Sequence, residues 1–195
     1  MTAVTVVVGT ALLGATLRVP RGSGWFTALG LVVAATWIIG AQLSGPIPIR
    51  SPTRTSSRIV VTSALLGAVA ALAFFGAYFV AQHLPVLPGA LDSVLARADA
   101  GSTAIVLAIA LVNAVGEEVF FRGALYAALP PRSASVGTTV VYVCVTAVTF
   151  NVALVIAALV MGSIFGVQRR ATRSVLAPMV THLVWSTLTL LALPR

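Results

Sequence analysis

The chain has 195 residues, 59% of them apolar and only 8% charged: twelve Arg, no Lys, two Asp and two Glu. Soluble domains carry about 25% charged residues and disordered chains few apolar ones, so both classes are excluded; the lone Cys144 excludes a disulfide framework and a Cys-rich zinc site. The net charge of +8 does not point to nucleic acid, because Arg18, Arg21, Arg50, Arg54, Arg58, Arg169, Arg170 and Arg173 sit at the ends of apolar runs, where arginines anchor helices in a bilayer.

Uncharged stretches run over 1–17, 22–49, 59–91, 100–116, 133–168 and 174–194. Several exceed the ~20 residues a helix needs to cross a bilayer. The expected fold is an all-α polytopic transmembrane helical bundle of about seven spans (six to eight), forming one integral-membrane domain over 1–195. The first helix covers about Thr2–Leu17. No basic residue precedes Val4 and no small-residue cleavage site follows, so it reads as a retained helix rather than a secretory signal. Pro20 and two glycines end it. The second helix covers about Trp25–Leu43, closed by Ser44-Gly-Pro-Ile-Pro, and the third about Arg58–Gln82, ended by Pro85 and Pro88. Residues 84–100 are expected to be a loop with at most an amphipathic helical turn. The fourth helix covers about Ser102–Leu129 and stops at Pro130-Pro131.

The stretch 133–168 would make a helix of ~54 Å against a hydrocarbon core of ~30 Å. Two short helices, about Val136–Phe150 and Val152–Gln168, fit better, with a turn near Asn151, a natural turn-former. The last helix covers about Ser174–Leu193. Seven spans put Arg50, Arg54, Arg58, Arg132, Arg169, Arg170 and Arg173 on one side and Arg18, Arg21, Arg97 and Arg195 on the other. That asymmetry places the N-terminus in the cytoplasm.

The fourth helix contains Asn113-Ala-Val-Gly-Glu117-Glu118-Val-Phe-Phe-Arg122-Gly. A charge at the bilayer centre costs ~2.5–3.5 kcal/mol on insertion scales, so three ionisable groups within six residues need a purpose. Glu118 and Arg122 are i,i+4 and can pair. Glu117 is rotated by ~100° from Glu118, toward the face of Asn113, and stays available as a general base. A Glu–Arg pair that only locks helices explains Glu118 and Arg122, but not Glu117. Of the two histidines, His83 reads as an interfacial surface residue. His182 lies inside the last helix with Ser186 at i,i+4, and is either a ligand or a helix-packing residue. Counting along the helices, Glu117 lies ~18 Å and His182 ~12 Å from the cytoplasmic helix ends, so they can meet in the cytoplasmic half. Gly162-Ser-Ile-Phe-Gly166 reads as a small-residue packing motif.

Glu117-Glu118-Val-Phe-Phe-Arg122 resembles the EExxxR motif of the CAAX-prenyl-protease-like intramembrane enzymes, also known as the CAAX protease and bacteriocin-processing (abortive infection) family. His182-Leu-Val-Trp-Ser186 is similar to the family's HxxxN, with Ser for Asn, and Val160–Arg170 and Leu176-Ala-Pro178 share its appearance. The resemblance covers about 100–195. The middle motif, FxxxH, is met by Phe150-Asn-Val-Ala-Leu154, with Leu154 at the histidine position. The resemblance implies a metalloprotease with Glu117 activating water, Glu118 and Arg122 as the structural pair, and His182 as metal ligand or oxyanion donor. Ser186 would then replace an amide donor, and Asn151 would be a neutral polar substitute or a turn cap. A divalent metal such as Zn²⁺ would rest on Glu117 and His182, and the substrate would be a peptide or protein, prenylated or membrane-inserted. The setting would be a bilayer, as in a bacterial plasma membrane, with no nucleic acid involved. Two alternatives stand beside the peptidase: a catalytically impaired relative serving binding, immunity or assembly, and a small proton-coupled transporter using Glu117.

Overall fold

The computed structural model describes residues 1–20, 23–47, 56–99 and 102–192. Arg21, Arg50, Arg54 and Arg195, four of the arginines counted for orientation, lie outside them. Among the described residues the chain is helical throughout, with no strand. The helices are α1 (Thr2–Thr16), α2 (Gly24–Gln42), α3 (Ser56–Ala81), α4 (Leu87–Asp99), α5 (Thr103–Ala128), α6 (Ala134–Ala147), α7 (Val152–Thr172) and α8 (Leu176–Ala192). Helices α2, α3, α5 and α7 are long and apolar enough to cross a membrane; α1, α6 and α8 are shorter apolar helices. The protein is an integral membrane helical bundle.

Local chemistry sets the boundaries. Ser23 caps α2, its hydroxyl accepting from the Phe26 amide at 3.3 Å. The expected hairpin within 133–168 is present. Its corner is Phe150, held at φ 52°, followed by Asn151, whose Oδ1 accepts from the Leu154 amide at 3.1 Å to cap α7. Helix α7 runs past the expected end at Gln168 to Thr172. Its last turn carries Arg169 and Arg170, which suit the negative end of the helix dipole, and Arg173 terminates it in the left-handed region at φ 54°. The segment expected to be a loop with a helical turn is instead the 13-residue helix α4. It is amphipathic, and it packs on α7 and α5.

The bundle pairs α3 with α8, α6 with α7, α2 with α5 and α1 with α2. Small residues permit the close crossings. A Cβ on Gly67 of α3 would meet the Thr181 carbonyl of α8 at 2.7 Å, and one on Gly116 of α5 would meet the Ala34 carbonyl of α2 at 3.0 Å. The Gly162/Gly166 motif of α7 serves packing within the chain: its two glycines share one face, which meets Thr139 and Ser135 of α6. The core centres on Trp37, against whose indole Phe120 and Phe121 of α5 pack at 5.0 and 5.1 Å. These aromatics anchor the turn of α5 that carries the glutamates.

Candidate active site

Helix α5 is α-helical to Glu117, then π-helical over Glu118–Leu125, and α-helical again over Tyr126–Ala128. Runs of π-helix are rare and concentrate at functional sites. The whole motif stretch Glu118-Val-Phe-Phe-Arg122 therefore lies on widened backbone. A buried arginine supports it. Arg169 of α7 donates through Nε to the Arg122 carbonyl at 2.7 Å, with its guanidinium 4.6 Å from the Tyr126 ring. Arg169 was expected among the interfacial anchors. It is instead 8% exposed, because the last turn of α7 packs on α5 and the guanidinium finds a carbonyl acceptor there.

Glu118 and Arg122 are fully buried and paired, Nη1 to Oε1 at 3.1 Å. The same Oε1 meets His182 Nδ1 at 3.1 Å. Arg122 also donates through Nη2 to the Gly162 carbonyl at 3.2 Å, which Thr139 shares at 2.9 Å. Its guanidinium lies 4.8 Å from the Tyr142 ring and 5.0 Å from Phe165. Phe165 in turn stacks on His182 at 4.8 Å. Glu118 thus ties α5 to α8, and Arg122 ties α5 to α6 and α7.

Glu117 is differently placed. It is only partly buried, and its Oε2 accepts from the Tyr142 hydroxyl at 2.7 Å. Asn113, expected on the same face, turns instead to α2, where Nδ2 donates to the Gly30 carbonyl at 3.0 Å. Glu117, Glu118, Arg122, Tyr142 and His182 form one electrostatic cluster. The structure therefore brings four of the expected site residues together and adds Tyr142 and Arg169. Neither addition carries an obvious sequence signal; Tyr142 is the only phenol in the apolar helix α6.

Asn151 and Ser186 lie apart from the carboxylates. Asn151 caps α7, and its Nδ2 donates to the Ala90 carbonyl at 2.9 Å and to Ser93 Oγ at 2.7 Å, tying α7 to α4. Ser186 lines an apolar cavity of about 310 Å³ between α4 and the bundle, shared with Leu91, Val94, Ala110, Leu154 and Trp185. Trp185 packs against His182 at 5.8 Å, so the cavity and the carboxylate cluster are neighbours. His83 is exposed in the turn after α3.

Residues 99–188 match the family model for Rce1-like proteins, type II CAAX prenyl endopeptidase Rce1-like. This segment, a little under half of the chain, is similar to the CAAX-protease-like family. No curated protein and no solved structure matches the chain. The Rce1-like segment contains the whole cluster, from Glu117 to His182, and leaves α1, α2 and α3 outside it.

A zinc ion does not fit the donors of the Rce1-like segment. Among the described residues no three His, Cys, Asp or Glu side chains gather as a metal site. Catalytic zinc takes three protein ligands. Here Glu118 Oε1 already holds Arg122 and His182, and His182 Nδ1 is directed at Glu118 rather than at Glu117. Leu154, at the middle-motif histidine position, faces an apolar cavity and supplies no donor.

Proposed function

We propose that the chain is an intramembrane peptidase of the CAAX-protease-like kind, in which Glu117 activates the attacking water. The supporting observation is the contrast between two adjacent glutamates. Glu118 is sealed and bound by Arg122 and His182, whereas Glu117 is partly exposed and held by one phenol. A carboxylate with one oxygen engaged keeps the other free to take a proton from water. The buried cluster around Glu118 fixes α5, and with it Glu117, against α6, α7 and α8. The apolar cavity beside Trp185 and Ser186 takes the flanking part of a prenylated or membrane-inserted peptide.

Water attack without a covalent enzyme intermediate has a direct signature. Purified protein should cleave a quenched fluorescent peptide ending in a farnesylated cysteine motif, and acid quenching during turnover should trap no acyl-enzyme. There should be no burst phase. Serine- and cysteine-directed reagents should leave the rate unchanged. A wild type inert toward this peptide and toward membrane-inserted peptides would favour the impaired relative, a reading supported by Leu154.

The arginine distribution supports a cytoplasmic N-terminus and a cytoplasmic end of α7. Position 171 is exposed at that end. In a Cys144→Ser background, Ala171→Cys should react with impermeant maleimide from the cytoplasmic side only. Labelling from the external face alone would reverse the topology.

A further inference from the structure

We propose that Tyr142 is the positioning residue for the Glu117 carboxylate, an inference that rests on the peptidase reading above. Tyr142 stands on α6, 25 positions from Glu117, outside every motif of the sequence. At 2.7 Å its O–H···O contact with Glu117 has the length of a charge-assisted hydrogen bond. Among the described residues no other donor reaches Glu117.

The phenol is held from several sides. Phe121 meets its ring edge-on at 5.0 Å, and the Arg122 guanidinium lies 4.8 Å from the ring centroid. Gly162 leaves the space the ring occupies: a Cβ there would stand 3.2 Å from Tyr142 Cδ1. Arg122 is itself fixed by Glu118 and by the Gly162 carbonyl. A cation against the ring draws electron density from the hydroxyl and strengthens its donation. The buried pair thus reaches the second glutamate through the Tyr142 ring. The hydroxyl engages Oε2 and leaves Oε1 without a donor among the described residues. A freely rotating carboxylate would spend less time in that geometry, and displacement of a reacting group by about 1 Å costs about 100-fold in rate.

Tyr142→Phe keeps the ring and removes only the hydroxyl. With the farnesylated fluorescent peptide as probe, kcat should fall by about 10- to 100-fold with KM unchanged. The unfolding temperature in detergent should stay at the wild-type value. The chain has four Asp and Glu residues, so the infrared carboxylate band of Glu117 can be assigned by its loss in Glu117→Gln. That band should shift in Tyr142→Phe. It should shift the opposite way with 3-fluorotyrosine at 142, a stronger donor of nearly the same shape, which should fold as the wild type. An inactive Glu117→Gln beside a fully active Tyr142→Phe would overturn this inference alone. So would a fall in kcat accompanied by a lower unfolding temperature and an unmoved band in both Tyr142 variants. An inert wild type, or an active Glu117→Gln, would overturn the peptidase reading and this inference with it.

Discussion

Glu117→Gln is expected to lower kcat by about 10²- to 10⁴-fold, the range that a positioned general base contributes, and to leave the protein folded. Glutamine matches the shape of glutamate, and its amide oxygen can still accept from Tyr142, now 2.7 Å from Oε2. It cannot take a proton from water. Among the described residues Glu117 makes no ion pair, so its neutralisation strands no charged partner there. The measurement is cleavage of the farnesylated peptide beside thermal unfolding of the same preparation. Equal activity in the two proteins would remove Glu117 from the chemistry. A loss of activity matched by a loss of folded protein would assign it a structural role.

The largest effect on stability is expected at the buried pair. Glu118→Ala and Arg122→Ala should each cost ~3–5 kcal/mol, because removing one member leaves the other charged and buried. Arg122→Ala should be the worse of the two. It also releases the Gly162 carbonyl and empties the space between the Tyr142 and Phe165 rings, whereas Glu118→Ala only takes one shared carboxylate oxygen from Arg122 and His182. The double variant should lose less than the sum, since no unpaired member of the pair remains. Unfolding in detergent of the two single variants and the double provides the cycle. Strictly additive losses would mean that Glu118 and Arg122 are not coupled.

Sequence alone determined the membrane class, the order of the apolar helices and most of their ends. These depend on local quantities: hydropathy over some twenty residues, and the backbone preferences of proline, glycine and asparagine. The Glu118–Arg122 pair was legible for the same reason, since i,i+4 contact is a property of a single helix. The hairpin at Asn151 followed from the limit that bilayer thickness puts on helix length. The amphipathic α4 is only weakly marked in the sequence because it begins Leu87-Pro-Gly-Ala, with two helix breakers, while Pro88 is well tolerated in a helix's first turn.

Tertiary structure decided the partners. His182 meets Glu118 and not Glu117, Tyr142 meets Glu117, and Arg169 leaves the interface to bind the Arg122 carbonyl. These contacts join residues 64, 25 and 47 positions apart. Helical periodicity tells which residues share a face, but not which helix that face will meet. The spanning helices are apolar nearly all the way round, so even the inward face is weakly marked. What selects it is the fit of small residues against large ones: Gly67 beneath Thr181, Gly116 beneath Ala34, and Gly162 beneath Tyr142 and Arg122. That fit exists only once the bundle is assembled, and it divides the two adjacent glutamates into one that holds the helices and one that meets Tyr142 alone.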